Sequence, residues 1–243
     1  MCVFAGIARG ACVTLCGISG ERRVPVCADA AWRTQETGNA FMKKLALKLR
    51  SWWNGLKLDK KGKHCRFMGK EFVVEGHVEV GDYCRFRDHV ILRTHKNGKI
   101  VFGNHSGCSY FVVMEAEQLI QIGNDTAITE FCVIRDTNHM IYGTDLHWDY
   151  TPHITKPVII GSGVLVGSRT YIHPGVTIGD GAIIGAGSLV KEDTVVGPYE
   201  IWAGAPARRV AHRTQGVPEV RLKEAQDLIA QQGLRKSRYE GKF

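Results

Sequence analysis

The 243-residue sequence contains no apolar run approaching the ~18 residues that a membrane-crossing helix needs. Its eight cysteines form no paired Cys-x-x-Cys units, so the spacing of a structural zinc site is missing. The amino terminus also lacks the charged n-region of a secretory signal, because its apolar patches, residues 3–8 and 11–18, are broken by Arg9. Periodicity is absent from residues 1–38, which are expected to be a disordered extension or to precede a true start near Met42. No function is assigned to them.

Charge is unevenly shared. Residues 1–70 hold 14 Lys+Arg against 4 Asp+Glu, a balance of +10, whereas residues 71–243 hold 18 against 20, or −2. The net +8 therefore belongs to the N-terminal arm. Such an arm fits either contact with an anionic membrane surface or polyanion, or a solvated basic face. No nucleic-acid partner is expected. With 44% hydrophobic residues, the rest of the chain can bury a sizeable core.

What is present is a period of six. An apolar residue returns at Ile160, Val166, Ile172, Ile178, Ile184, Val190, Val196 and Trp202, a run that chance would produce roughly once in 700 registers. Glycine often follows the apolar residue, and the position four after it is usually small or β-branched: Val164, Thr170, Val176, Ala182, Ser188, Thr194. Period six fits neither an ordinary helix nor a two-sided strand. It fits a parallel β-helix, three short strands and three turns to a coil, with coils about 4.8 Å apart. Earlier coils read Val80, Phe86, Leu92, then Phe102, Cys108, Met114, then Ile122, Ile128, Ile134. Cys84 and Cys132 take the small inward position, where cysteine acts as a small hydrophobe, so a reducing, cytoplasmic setting is expected.

The repeat fails over residues 140–159, a loop holding Tyr142, His147, Trp148, Asp149, Tyr150 and His153. A long interruption of a strict solenoid is usually functional. The domain reading is therefore an extension, 1–38; an N-terminal helical arm, 39–77; the β-helix, 78–210; and a helical tail, 211–243. In the arm, Asn39 is placed to cap a helix with Phe41, Leu45 and Leu49 on one stripe, basic residues around it, and Trp52 and Trp53 near its end. That helix either packs its stripe on its own domain or, through residues 39–63, makes weak contact with a membrane surface. The tail pattern from Val217 predicts a helix capping the open end of the solenoid.

The repeat, the Asp136-Thr137-Asn138-His139 ending before the loop, and Trp202-Ala203-Gly204-Ala205-Pro206-Ala207 together resemble the hexapeptide-repeat acyltransferases. Within these the chain is most similar to the maltose, galactoside and saccharide O-acetyltransferases, with the xenobiotic acetyltransferases as relatives. The match covers about Val78 to Val210. The resemblance implies an all-β, left-handed parallel β-helix, a homotrimer with sites between subunits, and acetyl-CoA as donor. It implies His139 as general base, with Asn138 or Asp136 orienting its ring, or Asn138 merely satisfying a coil corner. Ser168, Ala186, Lys191, Trp202, Ala203, Gly204, Arg208 and Arg209 would bind CoA, and Ser109, Tyr142 and Trp148 the acceptor. Two residues depart from the family: Leu165 stands where tryptophan is frequent, and Ser109 lies near the place of an acceptor-binding asparagine. No metal is expected, since the paired histidines five apart of the β-helical carbonic anhydrases are missing among His147, His153 and His173. No cysteine or serine adjoins His139 as a nucleophile, so direct transfer to a saccharide hydroxyl is expected. The rivals are N-acylation of an amino sugar, nucleotide sugar or antibiotic, and a non-catalytic scaffold, which would bind no CoA.

Overall fold

The computed structural model describes residues 30–144, 147 and 150–231. The chain divides into two compact units, residues 1–43 and 44–243. Helix α1 runs Ala30–Gly55, so Asn39 lies inside it instead of capping it, and residues 30–38 are helical. From Lys60 onward the chain winds as a left-handed parallel β-helix of about seven turns.

Three sheets form the sides of the prism. The first stacks seven strands, from Lys60–Lys61 to Val195–Val196, and the third six, from Phe72–Glu75 to Leu189–Val190. The second stacks eight, from Arg66–Phe67 through Glu200–Ala203 to Arg208–His212. The six-residue period sets the register: Ile122 lies on Ile160, Ile128 on Val166 and Ile134 on Ile172. These aliphatics are fully buried, and so are Phe67, Phe72 and Phe86, which pack ring against ring at 5.2–5.7 Å in the first two coils. Each such side chain contributes about 1.5–3 kcal/mol by leaving water. The small residues Val164, Thr170, Val176, Ala182 and Ser188 are buried too. Cys84, Cys108 and Cys132 are buried and form no disulfide among the described residues. Along one edge Gly123 is forced: a Cβ there would come within 2.5 Å of the Gly161 carbonyl carbon one coil on.

Three expectations are corrected. The solenoid starts at Lys60, a coil earlier than Val78, because Phe67 and Phe72 meet the inward position through segments that break the six-residue count. The tail helix α2, Glu219–Gln231, buries no residue and so caps nothing. The last coil is covered instead by a reversal through Gly204 and Pro206, which returns Arg208–His212 antiparallel on Glu200–Ala203. That reversal also satisfies the backbone of Leu189, whose N–H donates to Gly204 O and whose carbonyl accepts from Ala207 N. Thirdly, the interruption at 140–159 is partly regular. Thr137–His139 and His153–Thr155 pair antiparallel as a hairpin leaving the prism, and Val158–Ile160 already belongs to the next coil.

Truncating Ile172 to alanine removes a central member of the inner stack, with Ile134 below it and Val190 above. The expected cost is about 2–5 kcal/mol, read as a lowered urea midpoint with an unchanged slope.

Candidate functional site

The hairpin leaves the coil because Asp136 turns inward. Its carboxylate is fully buried and accepts the N–H groups of Glu117 (2.8 Å), Gln118 (2.7 Å) and Leu119 (2.7 Å). Burial holds this carboxyl above the ordinary aspartate value, against the three amide donors that pull it down. Its carbonyl then accepts from Lys156 N, fastening the returning strand to the hairpin's base. Asp136 is thus fully engaged with backbone and does not reach the His139 ring.

Asn138 does not hold the ring either. Its Oδ1 accepts the backbone N–H of His139 at 3.2 Å, and its amide donates to Glu192 Oε1 at 2.9 Å. The ring's neighbour is His153, opposite it in the hairpin ladder, edge-on with centroids 4.5 Å apart and planes at 88°. His153 Nδ1 is 2.6 Å from Glu117 Oε1, and the Glu117 side chain is only 7% exposed. The other carboxylate oxygen meets Lys96 Nζ at 2.7 Å and the Thr155 hydroxyl at 3.4 Å. Burial would raise the Glu117 carboxyl, yet Lys96 and His153 outweigh it and hold the group below its ordinary value. An ionised carboxylate only accepts, so His153 Nδ1 donates to it and the ring is held in this orientation.

Glu117 was not visible in the sequence. It sits at a coil corner, 36 residues from its histidine, and no period or motif joins the two. His173, on the neighbouring coil, is held below the usual histidine range by burial, against the nearby Glu192.

The other expected residues occupy a different edge. Ser168 donates its hydroxyl to Glu130 Oε1 at 2.7 Å, which, together with Ser109, holds that carboxyl low. Ser109 and Ser168, expected on the acceptor and the donor respectively, therefore share one carboxylate. Ala186 is exposed one coil on, next to Gly187, whose N–H donates to Ser168 O. Gly204 follows on the same edge, after half-buried Trp202 and Ala203. Trp202 Nε1 donates to Glu200 Oε2 at 2.8 Å, and Glu200 Oε1 also holds Arg209 Nε at 2.9 Å. Arg209 is thus already paired, whereas among the described residues the guanidinium of exposed Arg208 donates to the Ala207 carbonyl alone. Lys191 is exposed beside Glu192, on the hairpin's edge and not with Ser168. Tyr142 is exposed in the loop, and Trp148 lies outside the described residues. Among the described residues no three His, Cys, Asp or Glu side chains are grouped to hold a metal ion.

Because the Glu117 pKa is depressed in the folded state, its contribution to stability is present above the unfolded value near 4.5 and is lost as pH falls through the folded value. Glu117→Gln should therefore melt below the wild type at pH 7, and the two melting curves should converge on acidification below about pH 4. Equal melting temperatures at pH 7 would show that the pair carries no stability.

Residues 157–192 match the family described as bacterial transferase hexapeptide (six repeats). No curated protein matches the chain. Among solved structures, AntD, an N-acyltransferase from Bacillus cereus in complex with dTDP and 3-hydroxybutyryl-CoA, superposes with a TM-score of 0.59 at 21% identity, over 74% of this chain and 96% of AntD. A point mutant of AntD, in complex with dTDP and coenzyme A, gives 0.57 at 23% identity, over 72% and 92%. A galactoside acetyltransferase in complex with coenzyme A aligns at 25% identity over 60% and 66%, with a TM-score of 0.45. Residues 157–192 carry the six-residue repeat, and the coils built on it share the β-helical fold of AntD.

Proposed function

We propose that the protein is an acetyl-CoA-dependent O-acetyltransferase acting on a saccharide-type hydroxyl, with His139 as general base. The observation that carries this reading is the exposed His139 ring, set edge-on against a histidine that a buried carboxylate locks in place. In the reaction His139 takes the acceptor's hydroxyl proton, the oxygen attacks the thioester carbonyl, and the C–S bond breaks. The proton then passes to the departing CoA sulfur. A positioned base of this kind contributes about 10²–10⁴-fold. Ser168 is a poor oxyanion donor while its hydroxyl is given to Glu130, so a thioester oxygen would have to displace that carboxylate. Arg208, exposed and in no ion pair among the described residues, is the better partner for a CoA phosphate than Arg209.

The expected residues fall on two different edges of one prism, with His139, Asn138 and Lys191 on one and Ser168, Ala186 and Gly204 on another. A chain in that state completes a site by setting the base of one copy beside the donor edge of the next, which supports a homotrimer. Buried thiols that form no disulfide among the described residues suit a reducing, cytoplasmic setting. Light scattering should give three times the chain mass of 26.9 kDa, and a stable monomer at micromolar concentration would remove the shared site.

His139→Ala should lower turnover by about 10²–10⁴-fold with CoA affinity nearly unchanged, because the base touches the acceptor's proton and not the donor. Thiol release with a panel of saccharides, and calorimetry with CoA, measure the two. Loss of CoA binding together with turnover would make the hairpin a structural lid. An acceptor panel that pairs each hydroxyl with its amine separates O- from N-acylation, and absence of CoA binding in the wild type would leave a non-catalytic scaffold.

A further inference from the structure

Helix α1 is amphipathic the wrong way round for a helix that packs on its own domain. Where its last turns lie on the solenoid, the contacts are polar: Asn54, buried, donates to Gly69 O at 3.0 Å, and Ser51 Oγ accepts the Phe67 N–H at 2.9 Å. These bonds close the open edge of the first coil. The apolar stripe points the other way. Leu45, Leu49, Trp52, Trp53 and Leu56 recur at three- and four-residue spacing, and Leu49, both tryptophans and Leu56 are 58–63% exposed. The sequence allowed the helix to bury this stripe on its own domain; the described structure does not do so.

The surroundings of the stripe say what would cover it. Between Lys44 and Lys70 the chain carries nine Lys or Arg and a single acid, Asp59, which is paired with His77. Lys48, Lys60, Lys61 and Lys63 are exposed and form no ion pair among the described residues. We propose that this face docks on an anionic lipid surface, with Trp52, Trp53, Leu49 and Leu56 entering the headgroup boundary and the lysines meeting lipid phosphates. Tryptophan suits that boundary because its ring is apolar and its N–H stays wet. A second copy of the chain would bury the stripe equally well. It would also have to bring a second set of these lysines near the first, or find acidic partners that the lysines already lack in this chain, whereas an anionic bilayer satisfies the apolar and the basic feature together. The inference is independent of acyl transfer, and its test reads no activity.

The test is cosedimentation of the full chain with phosphatidylcholine vesicles containing 30% or no phosphatidylglycerol (about one charge in three lipids). Wild-type protein should pellet with the anionic vesicles and stay in solution with the neutral ones. Trp52→Ser combined with Trp53→Ser should weaken the binding by about 10-fold or more. Lys60→Glu combined with Lys63→Glu should weaken it by about 100-fold, and added salt should weaken wild-type binding likewise. Circular dichroism confirms that the variants are folded, and light scattering reports their assembly. No binding to anionic vesicles, or equal binding to neutral ones, would overturn the proposal. So would a tryptophan variant that falls apart into monomers while the wild type ignores vesicles, since the stripe would then be a contact between copies.

Discussion

Every six residues the chain has to turn a corner while remaining hydrogen-bonded to the coils on either side. Eleven of the 23 strands among the described residues are only two residues long, so the corners and not the strands decide whether a coil closes. The solution is a left-handed backbone residue at the corner, and eleven of these in the described chain are not glycine. A side chain there costs up to about 1 kcal/mol or more relative to glycine. Stacking recovers part of it: His89, Phe111 and Phe131 form a column with ring centroids 4.4 and 5.0 Å apart, and His64, Tyr83 and His105 form another at 4.9 and 4.8 Å. A ladder of side-chain oxygens along the edge does the same for the amides, since Asn104, Asn124, Ser162 and Asp180 each accept a backbone N–H from the coil before. Because the coils are locked corner to corner, the inner aliphatics have no choice of register.

The hairpin is the place where this rule is suspended, and a buried carboxyl permits it. Asp136 directs its carboxylate at three amides of the preceding corner, where the other coils present a turn of their own. Released from the coil, the chain can place His139 and His153 opposite each other in a ladder that belongs to no prism side. Rigidity then comes from below, through Glu117, whose backbone N–H bonds Asp136 and whose side chain bonds His153. One corner thus sets both the exit of the hairpin and the orientation of a histidine on it.

The two ends of the solenoid are closed by different means. At the start, a helix offers polar side chains to the open edge and keeps its apolar stripe outward. At the finish, the chain's own reversal supplies an antiparallel strand and a turn. Both remove an exposed sheet edge, the feature that invites uncontrolled pairing. The first leaves an apolar face behind.

Period six, read from Ile160 to Trp202, determined the fold class, the inward residues and the site of the interruption, because the inner stack repeats a local choice at each coil. The first coil escaped that reading. Phe67 and Phe72 are five apart, and Lys61 occupies an inner-register position that elsewhere is apolar. His139 was legible by its place at the end of a coil. Its surroundings were not, since Glu117 and His153 come together only through coil stacking, and Asp136 and Asn138 differ in role only through the direction of their side chains. The amphipathic stripe of α1 was legible as a pattern, but its outward face was not. Periodicity reports which residues share a side of a helix, and only the bonds of Ser51 and Asn54 to the first coil decide which side is turned away.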